Sequence, residues 1–164
     1  MRIAALLIAV LASANVQAQV LPDVPAGAQA VSLLGEPLHS PAPGQGTLDR
    51  LATARADYEA DPDDADNIIW YGRRTAYTGD YRGAIEIFSE GIERFPDDAR
   101  MYRHRGHRYI SVREFERAIA DLERAATLIE GTENQVEPDG LPNALNIPVS
   151  SLHGNVWYHL GLAY

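Results

Sequence analysis

The chain has no cysteine and no lysine in its 164 residues. Without cysteine it has no disulfide scaffold, no thiolate-held iron–sulfur cluster, no cysteine nucleophile and no cysteine-ligated zinc. Without lysine, all 14 of its basic side chains are arginine, which excludes the phosphate-gripping lysine of a Walker loop and the Schiff-base lysines of covalent catalysis. Positive charge is also in the minority. A formal net charge of −9 argues against the broad basic footprint of a nucleic-acid binder. What is present, 46% apolar residues at the length of one ordinary domain, suffices to bury a core.

The first residues read as a targeting segment. Met1 and Arg2 form a short positive start, residues 3–12 are an almost unbroken apolar run, and Val16-Gln17-Ala18 supplies small residues at a cleavage point. The run is half of what a membrane-spanning helix needs. Residues 1–18 are therefore expected to be a signal peptide cleaved near Ala18, delivering the chain to a bacterial periplasm or outside the cell, with no membrane anchor left. Residues 19–46 then hold half of the chain's ten prolines, with Gly27, Gly35, Gly44 and Gly46 among them. Prolines at that density forbid a regular helix or a central strand. The expectation is a flexible linker with a short turn near Val31 to Leu34.

Laid against itself, the rest of the chain repeats. Pro62-Asp63-Asp64-Ala65 recurs as Pro96-Asp97-Asp98-Ala99, an offset of 34 residues that also pairs Gly72 with Gly106, Ala84 with Ala118, Ile85 with Ile119 and Phe88 with Leu122. Packing positions are kept while polar ones drift. In the first unit, 65–98, helices are expected over 65–78 and 81–94, where Gly79 gives the left-handed stop and Asp80 the next cap. In the second, 99–132, they fall at 99–112 and 114–130, with apolar stripes spaced three and four apart. Residues 47–64 read as a partial repeat whose helix, 47–60, caps the first unit. After an insert at 133–153 of about 21 residues, a third unit starts at 154–164 with Trp157, Leu160, Gly161 and Tyr164. It stops inside a helix, with nothing to cover Trp157 and Leu160, so a longer parent chain is expected.

Period, helix pairing and residue types together resemble the tetratricopeptide repeat family. The resemblance is carried by Gly72, Gly79, Asp80, Tyr81, Ala84, Phe88 and Pro96, then Tyr102, Gly106, Tyr109, Phe115, Ala118, Leu122 and Ala125, then Trp157, Leu160, Gly161, Ala163 and Tyr164. It implies an all-α solenoid of antiparallel helix pairs, a right-handed superhelix whose concave inner face binds proteins or peptides. On that reading the chain is not an enzyme, and no catalytic residue or cofactor is assigned. The alternative is the docking region of a larger enzyme whose catalytic part lies beyond residue 164. A small-ligand or metal-binding envelope protein is a third reading.

Residues 99–113 hold five arginines and two histidines without one acid. On a helix, Arg100, Arg103, His107 and Ser111 gather on one face, and by resemblance that face lines the groove. Neighbouring units would add Asp66, Ile69, Arg73 and Tyr77 on one side, with Asn155, Tyr158 and Leu162 on the other. Arg73, Tyr77, Arg100, Arg103, His107, Ser111, Asn155 and Tyr158 are thus the candidate partner-binding residues, for an acidic or carboxylate-ended peptide held by forked arginine contacts. The competing reading pairs these arginines with the acidic stretches 86–93 and 114–123, the commoner fate of surface charge. The groove does not match the lysine- and asparagine-based chaperone-tail clamp of some members, since Ile69, Arg73, Arg103 and His107 stand there instead. Arg105 departs from a leucine-like position and either snorkels to solvent or pairs with a neighbouring carboxylate.

His104 and His107, three apart, have a metal-ligand spacing that His153 and His159 could complete. Arginines on both sides oppose a cation, and no metal is assigned. Asp61, Asp63, Asp64 and Asp66 lack the glycine of a calcium loop and read as helix caps. In the insert, Pro138-Asp139-Gly140 forms a turn and Leu141, Leu145, Ile147 and Val149 offer apolar surface. It is expected to fold over the helix pair and edit access to the groove.

Overall fold

The computed structural model describes residues 23–137, 144–145 and 150–164. The expected leader of residues 1–18 lies outside them, as do the 138–140 turn, Leu141, Pro142, Ile147, Pro148 and Val149. A two-stranded hairpin, β1 (Ala30–Val31) and β2 (Pro37–Leu38), precedes six helices: α1 (Gln45–Ala60), α2 (Ala65–Tyr77), α3 (Tyr81–Arg94), α4 (Ala99–Ser111), α5 (Phe115–Ile129) and α6 (Leu152–Ala163). No helix among the described residues is long and apolar enough to cross a membrane.

Aspartate sets three of the helix starts. The side chains of Asp64, Asp80 and Asp98 accept from the amides of Asp66, Gly83 and Arg100, satisfying donors that the first helical turn leaves without a partner. These are the caps that the repeated Pro-Asp-Asp and the Gly79-Asp80 pair predict. Gly79 adopts φ +87°, the left-handed stop. At the equivalent turn of the next unit Arg113 takes that conformation with φ +64°. Glu114, in the place of Asp80, makes no cap bond and accepts from Arg82 and Arg117 instead.

The helices pack in sequence, each on the next, and α4 also packs directly against α2 and α6. Helices α2, α4 and α6 therefore form one layer, with α3 and α5 behind it. Ile68, Ile69, Ala76, Ala84, Phe88 and Met101 make the first core cluster. Tyr109, Val112, Ala118, Leu122, Leu160 and Ala163 make the second, and Ala99, Ala125, Ile129, Leu152 and Val156 close the α4–α5–α6 end. The repeat is visible in the packing: the ring of Phe88 presses on Gly72, and Leu122 presses on Gly106. Leu160, expected to lie uncovered, is buried in the second cluster, whereas Trp157, Tyr158, Leu162 and Tyr164 are exposed.

The stretch expected as a flexible linker is ordered where it is described. Gln29 is the reason: its side-chain oxygen accepts from the amides of Tyr81 (3.0 Å) and Arg82 (3.3 Å), capping the start of α3, and its carbonyl accepts from Arg82 Nε at 3.1 Å. Ser40 adds a bond to the Gly79 carbonyl at 2.8 Å, and Ala28 and Ala30 are buried. The expected turn is present. Ser32 Oγ accepts from the amides of Leu34 and Glu36, with Gly35 at φ +83°. Proline density excludes helices and central strands but not a two-residue edge strand, which is where Pro37 sits.

Candidate functional site

Helix α4 carries Arg100, Arg103, Arg105 and Arg108, two or three residues apart, and their long stems reach several neighbours: Arg100 meets Asp66 of α2, and Arg105 meets Asp121 of α5 and Ser89 of α3. Toward α2 they close a cavity of about 200 Å³, lined by Arg73, Ala76, Tyr77, Phe88, Arg103, His104, His107, Arg108, Glu137 and Ser150. A second hollow of about 140 Å³ shares Arg73, His104 and Glu137 with it as common walls and adds Asp66, Ile69, Trp70, Arg100, Gln135, Val136 and Leu152. Of the segment 135–137, Glu137 lines both.

Arg103 is buried, 7% exposed. Its Nη2 donates to Glu137 Oε2 at 3.0 Å and its Nη1 to His104 Nδ1 at 2.6 Å, while its Nε meets no acceptor. Burial, with Arg73 nearby, lowers its pKa against the pull of Glu137. Arg108 Nη2 donates to His107 Nδ1 at 2.6 Å, and its guanidinium lies 5.6 Å from the Tyr81 ring centre. It makes no ion pair among the described residues. Burial without a facing carboxylate pushes its pKa down to about 10. Arg73 stands over the Trp70 ring at 4.4 Å and reaches Tyr77 Oη at 3.4 Å.

His104 and His107 are neutral by geometry. An arginine only donates, so Nδ1 of His104 and of His107 must accept and neither imidazole can carry a second proton. His104 stacks on Phe88, 5.4 Å between ring centres, and burial holds its pKa well below the usual value. His107 meets His159 at 4.0 Å between ring centres, and burial holds His107 at about 2 and His159 at about 4. His159 Nδ1 faces the Asn155 carbonyl at 2.6 Å and must donate there, so the two rings carry their protons on opposite nitrogens. With Nδ1 of His104 and His107 engaged by arginines, and His153 beside Thr132 at 3.2 Å, the four histidines do not converge. Among the described residues no three potential ligands form a metal-holding group.

Of the eight candidate residues, Arg73, Tyr77, Arg103 and His107 line the larger cavity. Arg100 lines the second hollow and is held by Asp98, through Nε and Nη2, and by Asp66 at 2.6 Å. These carboxylates raise its pKa. Ser111 Oγ donates to the His107 carbonyl, Asn155 Nδ2 donates to Ser150 Oγ at 2.8 Å, and Tyr158 stands exposed with its ring nearly perpendicular to that of His159. These three do not line either cavity. The competing pairing with 86–93 and 114–123 is met by Arg105, through a two-pronged contact to Asp121 at 2.7 Å for each bond, whereas Arg100 and Arg103 meet Asp98, Asp66 and Glu137, outside both stretches. That pair, with Ser89 on Nη1, resolves the departure at Arg105 in favour of a neighbouring carboxylate.

Arg108 and Glu137 line the cavity without having been singled out, and His104, weighed from sequence only as a metal ligand, lines it too. Arg108 belongs to the acid-free segment, which marked it by composition; on a helical wheel it falls away from Arg103, and only its long stem brings it round. Glu137 had no sequence signal, because its position depends on how the insert folds. Residues 135–137 pair with 150–152: Leu152 N donates to Gln135 O (2.8 Å), Glu137 N to Ser150 O (3.2 Å), and Val136 bridges Ser151. The chain matches no family model and no curated protein.

Proposed function

We propose that the chain is an exported, non-enzymatic scaffold of tetratricopeptide-like helix pairs, wound as a right-handed solenoid, and that the α2–α4–α6 layer holds an acidic peptide. One observation carries the reading. Arg73, Arg103 and Arg108 line the same cavity, and Arg108 is half-buried there without an ion-pair partner among the described residues. A guanidinium withdrawn from water is costly unless paired, and a carboxylate from outside would offset that cost at Arg108. Tyr77, 48% exposed at the rim, adds apolar contact area.

Binding of a fluorescent peptide rich in glutamate, with a glutamine-substituted twin as control, tests this by anisotropy. The wild type should bind the acidic peptide alone, and Arg103→Ala with Arg108→Ala should lose it by about tenfold or more, the loss of at least one charge-assisted hydrogen bond. Equal binding of both peptides, or an unaffected double variant, would sink the proposal.

A further inference from the structure

Glu137 reaches the arginine cavity from the segment between α5 and α6, on a backbone pinned by its pairing with residues 150–152. Resting on the groove reading above, we propose that Glu137 is a resident stand-in for one ligand carboxylate, and that the ligand binds by displacing it from Arg103.

The protein supplies its own comparison. On Arg105 the Nε–Nη2 edge is fully used: Asp121 takes both donors at 2.7 Å. On Arg103 the same edge is half used. Glu137 accepts from Nη2 at 3.0 Å, and the buried Nε has no acceptor. Buried donors are rarely left so, and the full fork is the stronger arrangement. A carboxylate free to approach in the plane of the guanidinium completes the fork that Glu137, tied to its ladder, does not. Arg108 adds a second cation on the same cavity wall. Two hollows of about 200 and 140 Å³, both lined by Glu137, give the incoming group room and the outgoing side chain a place to swing. The ligand group is therefore a single planar carboxylate, from a small organic acid or from a peptide.

Propionate, the side chain of glutamate as a free acid, is the probe. In Glu137→Ala, millimolar propionate should raise the melting temperature beyond what sodium chloride of equal ionic strength does, and should bind about tenfold more tightly than to the wild type, whose competent fraction Glu137 reduces. Adding Arg103→Ala should remove the effect. Glu137→Gln keeps the side chain's bulk and should fall between the two; if the alanine variant does not fold alone, recovery of its helical circular dichroism with propionate is the same readout. Propionate acting no differently from chloride on Glu137→Ala, or surviving loss of Arg103, overturns the stand-in role. A glutamate-rich peptide as the second arm separates the two proposals. Peptide bound equally by wild type and Glu137→Ala, without propionate rescue, overturns the displacement and leaves the groove; propionate rescue without peptide binding leaves the carboxylate site and overturns the groove.

Discussion

A methyl group added to Gly72 would stand 2.6–2.7 Å from two ring carbons of Phe88, closer than carbon atoms approach. Phe88 is 1% exposed and cannot retreat. Gly72→Ala should therefore destabilise the fold by about 1–3 kcal/mol, the usual cost of overfilling a packed core, read as a lower urea midpoint; an unchanged midpoint would mean that α2 and α3 separate freely. The pairing of Gly72 with Gly106 and of Phe88 with Leu122 could be read directly from the offset, because both members of each contact repeat together. The Arg105–Asp121 pair could not. Its departure from a leucine-like position showed that Arg105 needed a partner, but choosing Asp121 requires the register of α4 on α5, which no local pattern encodes.

Turns separate what was legible from what was not among the elements. Helices whose starts carry an aspartate begin where the sequence predicts, since a cap is a contact between residues two or three apart. The α4–α5 turn breaks the rule of its own repeat by placing Arg113 where the first unit has Gly79. An arginine in the left-handed region costs about 1 kcal/mol that glycine does not. Arg113→Gly should accordingly stabilise the protein by about 0.5–1 kcal/mol, net of the contact between Arg113 and the Phe115 ring at 5.6 Å. A loss of stability in thermal unfolding would place more weight on that contact than on the backbone. The hairpin escaped prediction for the opposite reason to the caps: Gln29 reaches partners more than fifty residues away, and no pattern within 19–46 reports them.

Across the molecule the neutral histidines couple stability to pH. An unfolded chain takes up protons at imidazole from about pH 6.5 downward, whereas His159 resists until about 4 and His107 until about 2, both chiefly through burial and then through the surrounding charges. The unfolded state binds more protons in that window, so stability falls as pH falls from 6.5 toward 4, and is unaffected by these groups above 7. Urea midpoints between pH 7.5 and 4.5 should show a decline worth about 2 kcal/mol or more, and the paired His107→Gln and His159→Gln changes should reduce it, leaving the share of the buried His104. A wild-type midpoint that holds steady or rises on acidification would show that the two rings are more solvated than their contacts imply.

Helix α3 borrows its first two hydrogen-bond acceptors from outside the repeats. The amides of Tyr81 and Arg82 are bonded to the side chain of Gln29, while that of Ala84 is bonded within its own helix end, to Asp80. Solvent exchange at the first two then times the undocking of the hairpin, and exchange at the third times the opening of the helix itself. Three neighbouring amides thereby keep two clocks, one for the N-terminal arm and one for the stack of helices on which it rests.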